Sequence, residues 1–126
     1  MIGAVAALLV VPGRQARGET TAPAMLQAVA SPPAFATCKA CHSVLKGGPN
    51  GVGPNLFGVV GAAAGTRPGY AYSPAMKAAS IRWARARLDA YLEDPKAVVP
   101  GTKMVLPGIK DAAKRDEIIS YLEKLK

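Results

Sequence analysis

Residues 38–42 read CKACH, and they hold the chain's only two cysteines, Cys38 and Cys41, and its only histidine, His42. On a helical turn, positions three and four apart leave from the same face. The three side chains therefore converge on one object, and the rest of the fold has to be arranged around it.

The object can be narrowed by chemistry. A structural zinc ion takes about four ligands, commonly as two separated Cys or His pairs, and the chain has no further Cys or His to supply a second pair. A redox-active C-x-x-C pair normally follows a strand in an α/β unit; no strand pattern precedes Cys38. A disulfide between Cys38 and Cys41 is geometrically poor on a helix and leaves His42 without a role. Two thiols can instead add to the two vinyl groups of a haem while the adjacent imidazole reaches the iron, and C-x-x-C-H is the attachment signal for c-type haem. One covalent haem c, with its iron, is the expected cofactor.

An iron held by His42 alone keeps an open face for oxygen, peroxide or another small ligand, whereas a second protein ligand closes it. With no further histidine, the candidates are Met1, Met25, Met76 and Met104, because a thioether partners His in electron-transferring haems. Met1 and Met25 sit in the leader and linker. Met76 lies in a short alanine-rich helix, where methionine commonly fills core. Met104, in VVPGTKMVLPG, stands 62 positions after His42 in an extended loop between two Pro-Gly pairs, a stiff backbone suited to carrying one side chain across a flat cofactor. Loop placement favours Met104 over Met76; a buried loop methionine is the alternative for Met104.

The 126 residues fit one domain able to bury roughly two-thirds of its unfolded surface. Half are apolar but only 6% are aromatic, so bulky core material is scarce and something other than side chains is expected at the centre. The net charge of +8 points to an acidic partner. Missing finger spacing, interleaved basic and aromatic residues, and a recognition helix argue against nucleic acid.

The apolar run at residues 2–11 has about half the length a membrane-spanning helix needs and suits a secretory signal, with ARG at 16–18 offering small residues for cleavage before Glu19. Arg14 and Arg17 follow the run and no basic residue precedes it, an order that opposes export; a start further upstream would supply the missing basic end. An uncleaved anchor is the second reading and a disordered apolar tail the third. Loss of Arg14 and Arg17 with the leader takes the net charge from +8 to +6. The expected organisation is a leader or anchor at 1–18, a linker at 19–32 and a functional domain at 33–126.

Further along, a weak helical turn is expected at 25–30. SPPAFATCKACH predicts a helix over 33–41 capped by Ser31, with Pro32 and Pro33 in its first turn. Residues 47–69 are rich in Gly and Pro and predict a long loop. Ser73 and Pro74 open a brief helix. Leu88, Tyr91 and Leu92 mark another that Pro95 ends. Asp111 caps a last helix with Ile118, Ile119, Leu122 and Leu125 on one face. No stretch alternates as a strand, so the fold class is all-α.

Together with CKACHS, the blocks GPNGVGPNLFGVVG, PGYAYSPAMK, Trp83, LDAYLEDPKAVVPGTKM and IISYLEKLK stand in an order that resembles the mono-haem class I cytochromes c, mitochondrial and soluble bacterial, from Ala34 to Leu125. The resemblance implies three to five short helices with long loops wrapped around one covalent haem, which accounts for the glycine-rich loop. It implies thioethers at Cys38 and Cys41, proximal His42 and distal Met104, with the Pro54 carbonyl accepting the second imidazole N–H. By the same resemblance Tyr72 and Trp83 hydrogen-bond a haem propionate, Tyr91 and Thr102 surround the methionine side, and helix 33–41 crosses the last helix near Leu122. The chain departs from the family at Ala62, where relatives often carry an arginine that helps hold a propionate; Arg67 is a substitute for it, and loss of that charge would lower the reduction potential. Met76 stands where relatives often have asparagine, and Ala84 gives the helix after Trp83 no cap.

The function these features imply is single-electron transfer without catalysis, in a monomer. Lys39, Lys46, Lys96, Lys103 and Lys110 are expected to ring the haem edge and steer acidic partners. Family resemblance points to a quinol-oxidising cytochrome bc complex upstream and a terminal oxidase or photosynthetic reaction centre downstream, in a bacterial periplasm. The competing readings are a peroxidase or gas-binding sensor with Met104 displaced, and a membrane-tethered carrier held by residues 2–11.

Overall fold

The computed structural model describes Gly13 and residues 30–126, so the leader, its cleavage point and nearly all of the turn expected at 25–30 lie outside the described residues. Five short helices, one 3₁₀ turn and a single isolated bridge, with no longer strand, make the described residues all-α. Among them no helix is long and apolar enough to cross a membrane.

The helix expected over 33–41 is divided. Pro33–Phe35 forms a 3₁₀ turn and α1 spans Ala36–Lys39. Two successive prolines explain the tight start: each fixes φ and neither donates an N–H. Pro32 takes the capping position in place of Ser31, and no side chain caps the turn. Past Lys39 the N–H groups of Cys41 and His42 both donate to the Cys38 carbonyl, at 3.1 and 2.9 Å. A helical turn thus runs through the motif after the regular helix has stopped.

Ser73 caps α2, Pro74–Ala78, its hydroxyl accepting from the Met76 N–H at 3.1 Å. Helix α3, Arg85–Glu93, starts at the uncapped Ala84 and buries Leu88, Tyr91 and Leu92. Pro95 ends α3 and also opens α4, Pro95–Val98, because Asp94 accepts from the Ala97 N–H at 3.2 Å. Proline is favoured at a first helical position, where its missing N–H costs nothing, so it restarts the helix that it interrupts.

Helix α5, Ala112–Glu123, is capped by Asp111, which accepts from Ala113 and Lys114 at 2.9 and 3.3 Å. Its buried stripe of Ile118, Ile119 and Leu122 packs on α3 and on the 3₁₀ turn, and Leu125 lies in the same cluster. Phe35, fully buried, takes part in the expected crossing, its ring 4.8 Å from that of Tyr121. Burying such side chains contributes about 1.5–3 kcal/mol each. Residues 61–64 run antiparallel to 81–83, with the Trp83 N–H donating to the Ala62 carbonyl at 2.8 Å, which fixes the backbone at Trp83.

Candidate haem site

A cavity of about 1000 Å³ opens between the CKACH turn, the loop at 52–73, α3 and the loop at 102–107. That is the upper end of ordinary small-molecule sites. It is the space that the scarcity of aromatic side chains left unfilled.

On one side stand Cys38, Cys41 and His42. Both cysteines are unbridged thiols; burial pushes the Cys38 thiol up from its ordinary range, with the charge of Cys41 adding to the rise. The Nδ1–H of His42 donates to the Pro54 carbonyl at 2.7 Å. A carbonyl can only accept, so the proton is on Nδ1 and the Nε2 lone pair is free to face a metal. Gly53 leaves room for the ring: a Cβ there would run into it, within 2.7 Å of Nδ1 and 2.9 Å of Nε2.

The loop that presents Pro54 is held by Asn55, a buried side chain that sequence reasoning passed over. Its Nδ2 donates to the carbonyls of Leu45 and Gly48 at 2.7 and 3.0 Å, its Oδ1 accepts from Phe57, and its own N–H donates to Asn50 Oδ1 at 2.9 Å. The signal was the tripeptide GPN, which occurs at 48–50 and again at 53–55.

The same cavity is lined by Met104 and, from α2, by Met76. Thr102 Oγ1 accepts from the Met104 N–H at 3.3 Å and shares a 2.7 Å hydrogen bond with the Tyr91 hydroxyl. Burial raises the Tyr91 phenol above its ordinary pKa, and the Thr102 bond works against that rise. Helix α3 thus holds the Met104 loop through a two-bond relay. Lys103 adds a bond from Nζ to the Ala71 carbonyl at 2.7 Å, tying the loop across the mouth.

Trp83, Ala62, Tyr72 and Arg67 also line the cavity. Trp83 packs on Tyr91 at 4.9 Å between ring centroids. The Tyr72 hydroxyl accepts from the Arg67 N–H at 3.0 Å, and burial raises the Tyr72 phenol. Every residue expected from the sequence — Cys38, Cys41, His42, Pro54, Tyr72, Trp83, Tyr91, Thr102 and Met104 — lines this one cavity. Of the five lysines expected around its edge all are exposed, but Lys103 alone among them lines it. The donor set suits a haem: two thiols for thioether bonds, an imidazole with a free Nε2, and thioether sulfur in the same largely apolar cavity.

A scan against protein-family models finds no match. The chain is 52% identical over 88 residues to a cytochrome c2 of Rhodomicrobium vannielii, covering 70% of each chain. It is 48% identical over 95 residues to a cytochrome c2 iso-2 of Magnetospirillum fulvum, covering 75% of this chain and 98% of that one. Among solved structures it resembles cytochrome cH from Methylobacterium extorquens, with 56% identity and a TM-score of 0.68 over 72% of this chain and 91% of the other. With relatives about half identical over 70% or more of their own length, and thiols and imidazole lining one largely apolar cavity, the chain belongs to the class I mono-haem cytochromes c, haem electron carriers that bind haem c covalently.

Proposed function

We propose that the chain is a one-electron shuttle whose haem iron is held by His42 and Met104, with Cys38 and Cys41 as the thioether anchors. The observation that carries this is the shared cavity of His42 and Met104, in which the Pro54 bond leaves Nε2 available and the Thr102–Tyr91 relay steadies the sulfur side. The bound haem supplies a redox-active iron. His42 and Met104 would hold the iron, and the protein's work would be to keep both ligands fixed so that the oxidation state changes with little rearrangement, thioether favouring the ferrous form. Pro54, Tyr72, Trp83, Tyr91 and Thr102 are the residues that orient ligands and cofactor.

The cavity mouth is bordered by Val52 and Val105, 78% and 89% exposed, and Lys103 stands beside them. An exposed apolar rim within a basic surface fits transient docking to acidic partners, by family analogy a cytochrome bc complex as donor and a terminal oxidase or reaction centre as acceptor. Within the chain, 33–126 is the cytochrome domain, 19–32 a linker and 1–18 an export leader or anchor, which makes the periplasm its place of work. The test is redox titration of the haem-loaded protein with carbon monoxide added to the reduced form. A single one-electron wave and no rapid carbon monoxide binding are expected; rapid binding would favour a gas-binding or peroxidase role.

A further inference from the structure

Among the described residues no Asp or Glu lines the cavity, yet two cations do, Arg67 and Lys103. Lys103 donates to the Ala71 carbonyl and is exposed, so water solvates its charge. Arg67 is half-buried, and its Nη2 donates inward to the Phe57 carbonyl. Among the described residues it forms no ion pair. A guanidinium has five N–H donors, and one backbone carbonyl leaves most of them, and the whole charge, uncompensated. Taking a cation out of water without a counter-ion is costly.

The backbone nevertheless goes to some length to hold it there. Thr66 Oγ1 donates to the Ala63 carbonyl at 2.6 Å, the Arg67 N–H donates to Tyr72 Oη at 3.0 Å, and Asn50 Nδ2 donates to the Pro68 carbonyl at 3.0 Å. Three successive residues are thus pinned from three directions, and the side chain between them faces an acid-free cavity. Such a site calls for an anion carried by the occupant.

Resting on the haem assignment above, we propose that Arg67 is the counter-cation of a haem carboxylate, supplying from the 66–68 turn the positive charge that Ala62 does not. Arg67 is a positioning and charge-compensating residue: it does not touch the iron, and it acts by neutralising a negative charge near it. An uncompensated carboxylate favours the ferric state, so removing Arg67 lowers the ferrous-to-ferric ratio at a fixed ambient potential.

The test is a mediated redox titration of the haem-loaded full chain as Arg67→Gln, Arg67→Lys and, as an exposed control outside the cavity, Arg87→Gln. Glutamine can still donate to the Phe57 carbonyl, so it removes charge more than it removes structure. Arg67→Gln should lower the ferrous-to-ferric ratio about tenfold, equivalent to 59 mV for a one-electron couple. Arg67→Lys should recover at least half of that shift, and Arg87→Gln should stay within about twofold. A shift in Arg67→Gln no larger than in Arg87→Gln, with haem covalently attached, overturns the proposal; so does a lysine variant that shifts as far as glutamine. The far-red sulfur-to-iron band of the same samples reports the His42–Met104 ligation separately, so failure of one reading is distinguishable from failure of the other.

Discussion

His42 Nδ1 donates to the Pro54 carbonyl at 2.7 Å while Gly53, the residue before that proline, leaves no room for a Cβ against the same imidazole ring. Ring orientation and loop conformation are therefore one structural unit, and a single methyl group should break both. Gly53→Ala is expected to destabilise the fold by about 1–3 kcal/mol through overpacking and to lower the yield of covalently attached haem. Chemical denaturation and haem content per polypeptide check this; unchanged values of both would show that the ring is free to move.

On the sulfur side the decisive pair is Thr102 and Tyr91. Thr102→Val removes the acceptor for the Met104 N–H as well as the partner of the Tyr91 hydroxyl, at a cost of about 1–3 kcal/mol. Tyr91→Phe removes only the outer bond and should cost less. Following the far-red band through denaturant addition, the threonine variant should lose it first, the tyrosine variant next and the parent last.

Arg115 ties the approach to α5. Its Nε donates to Asp89 at 2.8 Å and its Nη1 to the carbonyls of Ile109 and Lys110 at 2.8 and 3.0 Å, from a residue only 7% exposed. Arg115→Met should cost about 2–3 kcal/mol, since charged hydrogen bonds contribute more than neutral ones. Arg85→Ala, which breaks exposed pairs with Asp116 and Glu123, should change stability far less, because exposed ion pairs are screened by water and salt. Thermal unfolding of the two variants side by side measures the contrast.

These differences mark where sequence reading reaches and where it stops. CKACH was legible because scarcity and spacing coincide in five positions. The Ser73 and Asp111 caps were legible because a cap is settled within one turn. Pro95 was half-legible: its stop signal was visible, but its second role depends on Asp94 turning its carboxylate to the Ala97 N–H. Ser31 misled, because the paired prolines after it shift the start of the turn by one residue. Arg115 with Asp89, and Asn55 with Leu45, join residues 26 and 10 positions apart, and no local pattern announces a bond between segments so far apart in sequence. The same holds for Arg67, whose lack of an acidic neighbour is a property of the folded cavity.

Burial raises the phenol of Tyr121 above its ordinary value of 10.0. A group whose folded pKa is raised contributes stability that is intact below the unfolded pKa and is lost as pH climbs through the folded one. Stability should therefore decline from about pH 10 upward, and Tyr121→Phe should make that decline shallower while leaving Phe35 its aromatic neighbour. Unfolding midpoints measured from pH 8 to 12 check this; identical alkaline slopes for parent and variant would remove Tyr121 from the explanation.

The most direct measurement is the far-red absorption of the ferric, haem-loaded protein as parent, Met76→Ala and Met104→Ala. A sulfur-to-iron charge-transfer band present in the parent and in Met76→Ala, and absent in Met104→Ala, is the predicted result. A band that survives in Met104→Ala, or that disappears in Met76→Ala instead, would contradict iron ligation by His42 and Met104.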